Sequence, residues 1–396
     1  MLRPSTSIPR RGRGPLWRDP ATRALIVQVL LFVALAAVIG FLVHNTMTNL
    51  EERGIRTGFG FLDERAGFAI PQTLVEYSSD DSYGRTFVIG LLNTLLVSLL
   101  GIVAATIIGF AVGIARLSPN WLLAKLATVY VEIFRNIPLL VQILFWYFAV
   151  LQALPSPRQS LSLFDAFFIN VRGLVVPDPQ PLEGFAATPW ALLAAIVATL
   201  VLAVVARKRQ ARTGKALPMY WLGAALIIGL PLAVFLVTGM PLEWSMPEMA
   251  GFNFRGGINV MPELLALWLA LSIYTAAFIA EIVRSGIQSV PYGQIEAARS
   301  LSLPSSISLR KVVLPQAMRV IVPQLTSQYL NLIKNSSLAT AIGYPDIVAV
   351  FAGTTLNQTG QAIEIIAMTM AVYLVISLAV SLLMNIYNAR TLLKER

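Results

Sequence analysis

The sequence predicts an all-α polytopic membrane protein of about eight transmembrane helices, and three observations predict it. Of 396 residues, 56% are hydrophobic and only 13% charged, against about 25% charged in soluble domains. The apolar residues fall in runs of the ~20 residues that cross a bilayer, longer than core-sized segments. The Lys and Arg residues collect in alternate connecting segments, which makes the net charge of +10 a statement about topology and not about nucleic acid.

The apolar stretches lie at about 24–43, 87–115, 127–152, 189–206, 217–238, 262–284, 320–343 and 363–388. The first follows a basic N-terminus, 1–23, with arginines at 3, 10, 11, 13, 18 and 23. That n-region is long and no small-residue cleavage site follows Val43, so 24–43 is expected as an uncleaved helix. Residues 44–86 form an outer loop whose acids (Glu51, Glu52, Asp63, Glu64, Asp80, Asp81) read as solvated surface. The next unit, 87–154, carries two spans, and Pro138 sits inside the second, where it removes a helix hydrogen bond. An insertion, 155–261, holds two nearly all-apolar spans between loops at 155–188 and 239–260. The last unit, 262–390, holds three spans, and 391–396 is a short tail.

Lys and Arg set the orientation. With the N-terminus inside, 21 of the 30 fall in cytoplasmic segments and 7 outside (Arg53, Arg56, Arg65, Arg85, Arg158, Arg172, Arg255), with Arg135 and Lys334 left within spans. The cytoplasmic set includes the cluster Arg207, Lys208, Arg209, Arg212 and Lys215 and the terminal Arg390, Lys394 and Arg396. Both termini are therefore expected in the cytoplasm.

Several chemistries are excluded. Cysteine is absent and His44 is the only histidine, which removes disulfides, thiolate metal sites and most histidine-based catalysis. No phosphate-binding G-x-x-x-x-G-K-[ST] loop is present: Gly214-Lys215 is followed by Ala216, with Arg209 at the position of the first glycine. No metal or cofactor is expected in this chain. A membrane-embedded enzyme lacks a catalytic cluster here. A secondary transporter driven by an ion gradient remains open on residues alone.

One cytoplasmic loop, 285–319, is unlike the others. Pro291 and Gly293 read as a turn before a short helix carrying Glu296, Ala297 and Ala298, and Pro304-Ser305-Ser306 opens a second. The alanine pair offers a flat face to another protein. Leu301, Leu303 and Leu309 would stay exposed unless covered. On residues alone, a helical loop packed under its own bundle explains the segment equally well.

This loop resembles the EAA loop of ABC importer permeases, which docks into a cleft on the ATPase. Glu296, Ala297, Ala298, Leu314 and Pro315 match its pattern, while Ser302 stands where the family has glycine. A glycine there supplies a left-handed turn that serine adopts only at a cost. Three further segments resemble the polar amino-acid permeases. They are Tyr130–Gln142, with Asn136-Ile137 for the usual Gly-Thr before Pro138, then Tyr274–Arg284, and Leu332-Ile-Lys-Asn-Ser-Ser337. The resemblance covers about 86–154 and 262–390, a five-helix importer core. The added spans are similar to the enlarged Q-type subunits of bacterial general L-amino-acid permeases. It implies an inner-membrane permease for L-amino acids that works with a second permease subunit, two ATPase subunits holding ATP and magnesium, and a periplasmic amino-acid-binding protein.

The charges within spans are candidate route residues. A mid-depth Arg or Lys costs about 2.5–3.5 kcal/mol on insertion scales. Arg135, Asn136 and Pro138 on one segment, and Lys334, Asn335, Ser336 and Ser337 on another, are expected to approach each other and line an amino-acid route. Competing readings are equally local. Glu132 lies three residues before Arg135 and Glu281 three before Arg284, each on one helix face. Lys334 can snorkel to an interface, and Asn335, Ser336 and Ser337 can serve helix packing.

Overall fold

The computed structural model describes residues 20–391 apart from 53, 55, 56, 215 and 216. The arginines up to position 18, Arg53, Arg56, Lys215, Lys394 and Arg396, all used for the orientation, lie outside the described residues.

The helices are α1 (Pro20–Glu52), α2 (Tyr83–Ala115), α3 (Trp121–Asn136), α4 (Leu139–Leu144), α5 (Ala187–Thr213), α6 (Met219–Val237), α7 (Pro262–Gln288), α8 (Tyr292–Ser300), α9 (Ser305–Ser308), α10 (Leu314–Asn335), α11 (Leu356–Thr359) and α12 (Ala362–Thr391). Among the described residues α1, α2, α5, α7 and α12 are long and apolar enough to cross a bilayer, and α3 with α4 and the turn to Leu151 forms an apolar helix pair bent by 105° at the break. The shorter α6 and the more polar α10 occupy the remaining expected stretches.

Helix α7 is the axis of the bundle. It packs on α2, α10, α3 and α4, and Leu267, Ala270, Leu271, Ala276, Ile279 and Ala280 are fully buried. Small residues let α2 approach it closely. Gly101, Ala105, Gly109 and Gly113 recur every four residues on one face of α2 and are all buried. A Cβ at Gly109 would lie 2.6 Å from Ile279 Cβ, and one at Gly113 would lie 2.8 Å from the Ala280 carbonyl. Between helices in lipid, such close backbone approach replaces the hydrophobic driving force available in water.

Non-helical backbone at depth is held by side chains of α2. Asn93 Nδ2 donates to the carbonyls of Gln72 (3.0 Å) and Pro345 (2.9 Å). Tyr344 donates to the Asn93 carbonyl (3.0 Å), and the Ile347 N–H donates to Thr94 Oγ1 (3.0 Å). Irregular backbone is tolerated in a bilayer where protein groups satisfy it in this way.

The loops at 44–86, 155–188 and 239–260 carry structure of their own. Residues 44–52 continue α1, and Phe61 and Ala66 are buried in a cluster with Tyr83, Ile347, Phe351 and Ile365. The two loops of the insertion form short strands: β1 (Leu161–Leu163), β2 (Phe167–Asn170), β3 (Gly173–Val176), β4 (Asp178–Pro181), β5 (Leu242–Ser245), β6 (Glu248–Ala250), β7 (Asn253–Arg255) and β8 (Ile258–Val260). They pair as an antiparallel β1-β2-β3-β8 sheet and two ribbons, β4-β5 and β6-β7. Strands of three or four residues are too short to show a period in sequence. Because β3 pairs with β8 and β4 with β5, both loops sit at the same end of the α5–α6 hairpin, whose helices pack on each other.

Candidate functional site

The break between α3 and α4 is written in Pro138. It restricts Ile137 to an extended conformation (φ −93°, ψ 127°), and the last carbonyls of α3 lose their helical partners. Gln142 supplies replacements. Its Nε2 donates to the carbonyls of Phe134 and Ile137, both at 3.0 Å, and the residue is only 3% exposed. Asn136 Nδ2 donates to the Glu132 carbonyl (2.7 Å). Helix α4 packs against the 3-10 turn Ser336–Ile342 that follows α10.

Within that turn the hydroxyls serve their own backbone. Ser336 Oγ donates to the Ile333 carbonyl and Ser337 Oγ to the Lys334 carbonyl, both at 2.7 Å. Ser336 is fully buried, whereas Lys334 is exposed and Asn335 and Ser337 half-buried. Both hydroxyls are thus held by carbonyls three residues back, and Ser336 also meets the Tyr373 hydroxyl of α12.

Arg135 is not paired with Glu132. It faces Glu281 of α7, whose carboxylate pairs with Arg116 of α2 and with Arg284. Arg135 stands 3.9 Å from the same carboxylate, with its guanidinium 5.2 Å from the centre of the Phe278 ring. The i,i+3 expectation therefore fails for Glu132–Arg135 and holds for Glu281–Arg284. Contacts between helices outcompete it, since α3 brings Arg135 onto α7. One carboxylate thus meets three guanidiniums. A cavity of about 370 Å³ opens beside Arg135, lined also by Phe278, Glu281, Ile282, Gln324, Ser327 and Gln328.

Gln324, Ser327 and Gln328 belong to a polar face that the sequence reading missed. Along α10, Gln324, Ser327, Asn331 and Lys334 are exposed and Gln328 is half-buried. Ile321, Val322, Leu325, Leu332 and Ile333 are buried on the other side. The signal was available as a 3.6-residue period of polar residues within an otherwise apolar stretch.

The segment between α7 and α10 holds two short helices, α8 and α9. Helix α7 runs to Gln288 and α10 starts at Leu314, so the loop proper is shorter than 285–319. Pro291 and Pro304 are the residues just before α8 and α9, and Gly293 lies inside α8 rather than in the turn. Glu296 and Ala297 are exposed, but Ala298 is 3% exposed, because α8 packs against the wide, π-type turn Leu309–Val313. Only half of the alanine pair is thus free to meet a partner. That wide turn precedes Pro315, whose ring would crowd the carbonyl four residues earlier in a regular helix. Exposed Tyr292, Leu301, Ile307, Leu309 and Leu314 make the loop's outer surface apolar, and Leu301 alone is 74% exposed.

Ser302 has φ +54°. Its N–H donates to the Arg299 carbonyl (2.8 Å), and the Leu303 N–H donates to the Ala298 carbonyl (3.1 Å). This is the Schellman ending, in which the left-handed residue is usually glycine. The turn geometry expected for a glycine is kept with serine in its place.

Residues 208–392 match the family described as "Binding-protein-dependent transport system inner membrane component". The chain is 59% identical over 378 residues to the putative amino-acid ABC transporter permease protein YhdX of Escherichia coli (strain K12), covering 96% of each chain. It is 53% identical over 394 residues to the general L-amino acid transport system permease protein AapQ of Rhizobium johnstonii, covering 98% of each. It is 41% identical to the glutamate/glutamine/aspartate/asparagine transport system permease protein BztB of Rhodobacter capsulatus, covering 96% of each. With its bundle around α7 and these full-length likenesses, the chain belongs to the binding-protein-dependent transport system inner membrane components, as a multi-pass permease subunit of the ABC transporter class.

Proposed function

We propose that this subunit carries L-amino acids across the bacterial inner membrane, with both termini in the cytoplasm, and that it is powered by ATP hydrolysis on a partner chain. The observation that carries the reading is the exposed apolar loop from Tyr292 to Leu314 at the end of α7. It fits a docking surface for an ATPase, and the relatives that match over nearly their whole length bear the names of amino-acid permeases. The ATP and magnesium belong to two ATPase subunits. A second permease subunit completes the pore, and a periplasmic binding protein delivers the substrate. Residues Arg135, Asn136, Pro138 and Lys334–Ser337 border the route, in part through the backbone freed at the two breaks. Helices α1, α5 and α6 lie on the lipid-facing periphery, consistent with the exposed apolar side chains of α1 and α5. The test is affinity purification of the tagged chain from its native membrane. Stoichiometric co-purification of an ATPase, lost in a chain whose residues 292–303 are replaced by a Gly/Ser linker, is expected. Purification without any ATPase would sink the reading.

A further inference from the structure

We propose that Arg135 forms an inner carboxylate-binding station, separate from Lys334, at which the amino acid pauses on its way to the cytoplasm. The proposal rests on the amino-acid import reading and deepens it by assigning a site on the cytoplasmic side of the Lys334 region.

Three observations carry it. Arg135 keeps its donors free of tight pairing: it stands 3.9 Å from Glu281, beyond hydrogen-bonding distance, while Arg116 and Arg284 hold that carboxylate closely. The arginine side chain is 40% exposed and its guanidinium lies over the Phe278 ring, 5.2 Å from the ring centre. It opens on a cavity of about 370 Å³ whose other polar lining is Glu281, Gln324, Ser327 and Gln328. Arg116 and Arg284 behind the wall hold the Glu281 carboxylate, so the cluster of three guanidiniums and one carboxylate is net positive, and a planar guanidinium matches a carboxylate bidentately. Amide and hydroxyl groups opposite it can bond the second face of the carboxylate or the ammonium group. The site therefore suits the α-carboxylate of an amino acid.

The polar face of α10 joins this station to the other one. Gln324, Ser327 or Gln328, Asn331 and Lys334 follow each other at one-turn steps. They span about 15 Å at the helical rise per residue. Lys334 offers a cation at the far end of that stripe and Arg135 one at the near end, so the carboxylate passes from one to the other along a ladder of neutral hydrogen-bonding groups.

The chain has no cysteine, so single cysteines report accessibility cleanly. Val320, exposed and one turn before Gln324, reports on the inner station, and Asn331 reports on the stretch next to Lys334. Complexes assembled with ATPase and lacking the binding protein are labelled with a hydrophilic maleimide in the presence of L-glutamine or its α-amide. L-glutamine is expected to protect V320C and the amide is not. Adding Arg135→Gln should raise the concentration for half-protection at V320C at least about tenfold, the loss of one hydrogen bond to a charged group. Arg135→Lys should fall between, and N331C protection should survive both. Protection of N331C without any at V320C would overturn the inner station while leaving the import route standing. Equal protection of V320C by the amide, or protection unchanged by Arg135→Gln, would overturn it as well. Protection at neither reporter would remove the station together with the route.

Discussion

Replacing Gly109 by alanine should loosen the α2–α7 contact on which the bundle is built. The added methyl would sit 2.6 Å from both Cβ and Cγ2 of Ile279 and 3.1 Å from the Ala276 carbonyl. Carbon atoms pack comfortably at about 3.5–4.0 Å, so roughly 1 Å must be found. Ile279 cannot provide it by rotation, because its Cβ is itself one of the clashing atoms and the residue is fully buried. The helices must part, and overpacking of this kind costs about 1–3 kcal/mol. Gly101 on the same face is the control. A methyl there meets the ends of the Leu332 side chain at 3.3 Å and 3.4 Å, and those ends can turn aside. Thermal unfolding of the detergent-solubilised protein, followed by size-exclusion profile, should show Gly109→Ala clearly less stable than wild type and Gly101→Ala close to it. Equal midpoints for the two variants would refute the close-approach account of this interface.

The other expected outcomes concern the coupling loop and the helix break. Glu296→Lys should reduce ATPase co-purification without changing thermal stability, since Glu296 is exposed, whereas Ala298→Asp should also destabilise the loop, by at least about 1–3 kcal/mol for an unpaired buried polar group. Chymotrypsin sensitivity of 285–313 separates the two, and identical digestion would contradict the burial of Ala298. Ser302→Gly should stabilise the end of α8 by about 1 kcal/mol by relieving the left-handed serine, and Ser302→Val should destabilise it. Hydrogen exchange at the Leu303 amide, which donates to Ala298, reads both changes, and equal exchange in the two variants would speak against them. Gln142→Leu should cost about 1–3 kcal/mol by stranding the Phe134 and Ile137 carbonyls. An unchanged unfolding midpoint would mean that other groups satisfy them.

Much of this was legible because membrane insertion imposes simple rules on sequence. Apolar runs gave the spans, and Pro138 announced the break that bends the third of them by 105°. The left-handed turn at Ser302 followed from one departure within a local motif. What stayed hidden depends on tertiary contact. Glu281 could be paired from sequence only with Arg284 on its own helix; Arg116 and Arg135 arrive from α2 and α3. Ala298 looked like a docking face because nothing in its neighbours shows that α8 folds back on the turn Leu309–Val313. Gln142 was read only as part of a resembling segment, since its partners lie across the proline break. The polar face of α10 is the instructive case. Its residues are visible in the sequence, but only their shared exposure turns Gln324, Ser327, Gln328 and Asn331 into a surface.

Reconstituted transport tests the central claim most directly. Proteoliposomes containing this chain, its partner permease and the co-purified ATPase are supplied with the binding protein on one side and ATP on the other, and entry of a labelled L-amino acid is followed. Uptake should require ATP, should cease when the binding protein is omitted, and should fall sharply with Glu296→Lys in vesicles holding the same amount of inserted permease. Uptake driven by an imposed ion gradient without ATP, and indifferent to Glu296→Lys, would contradict the account.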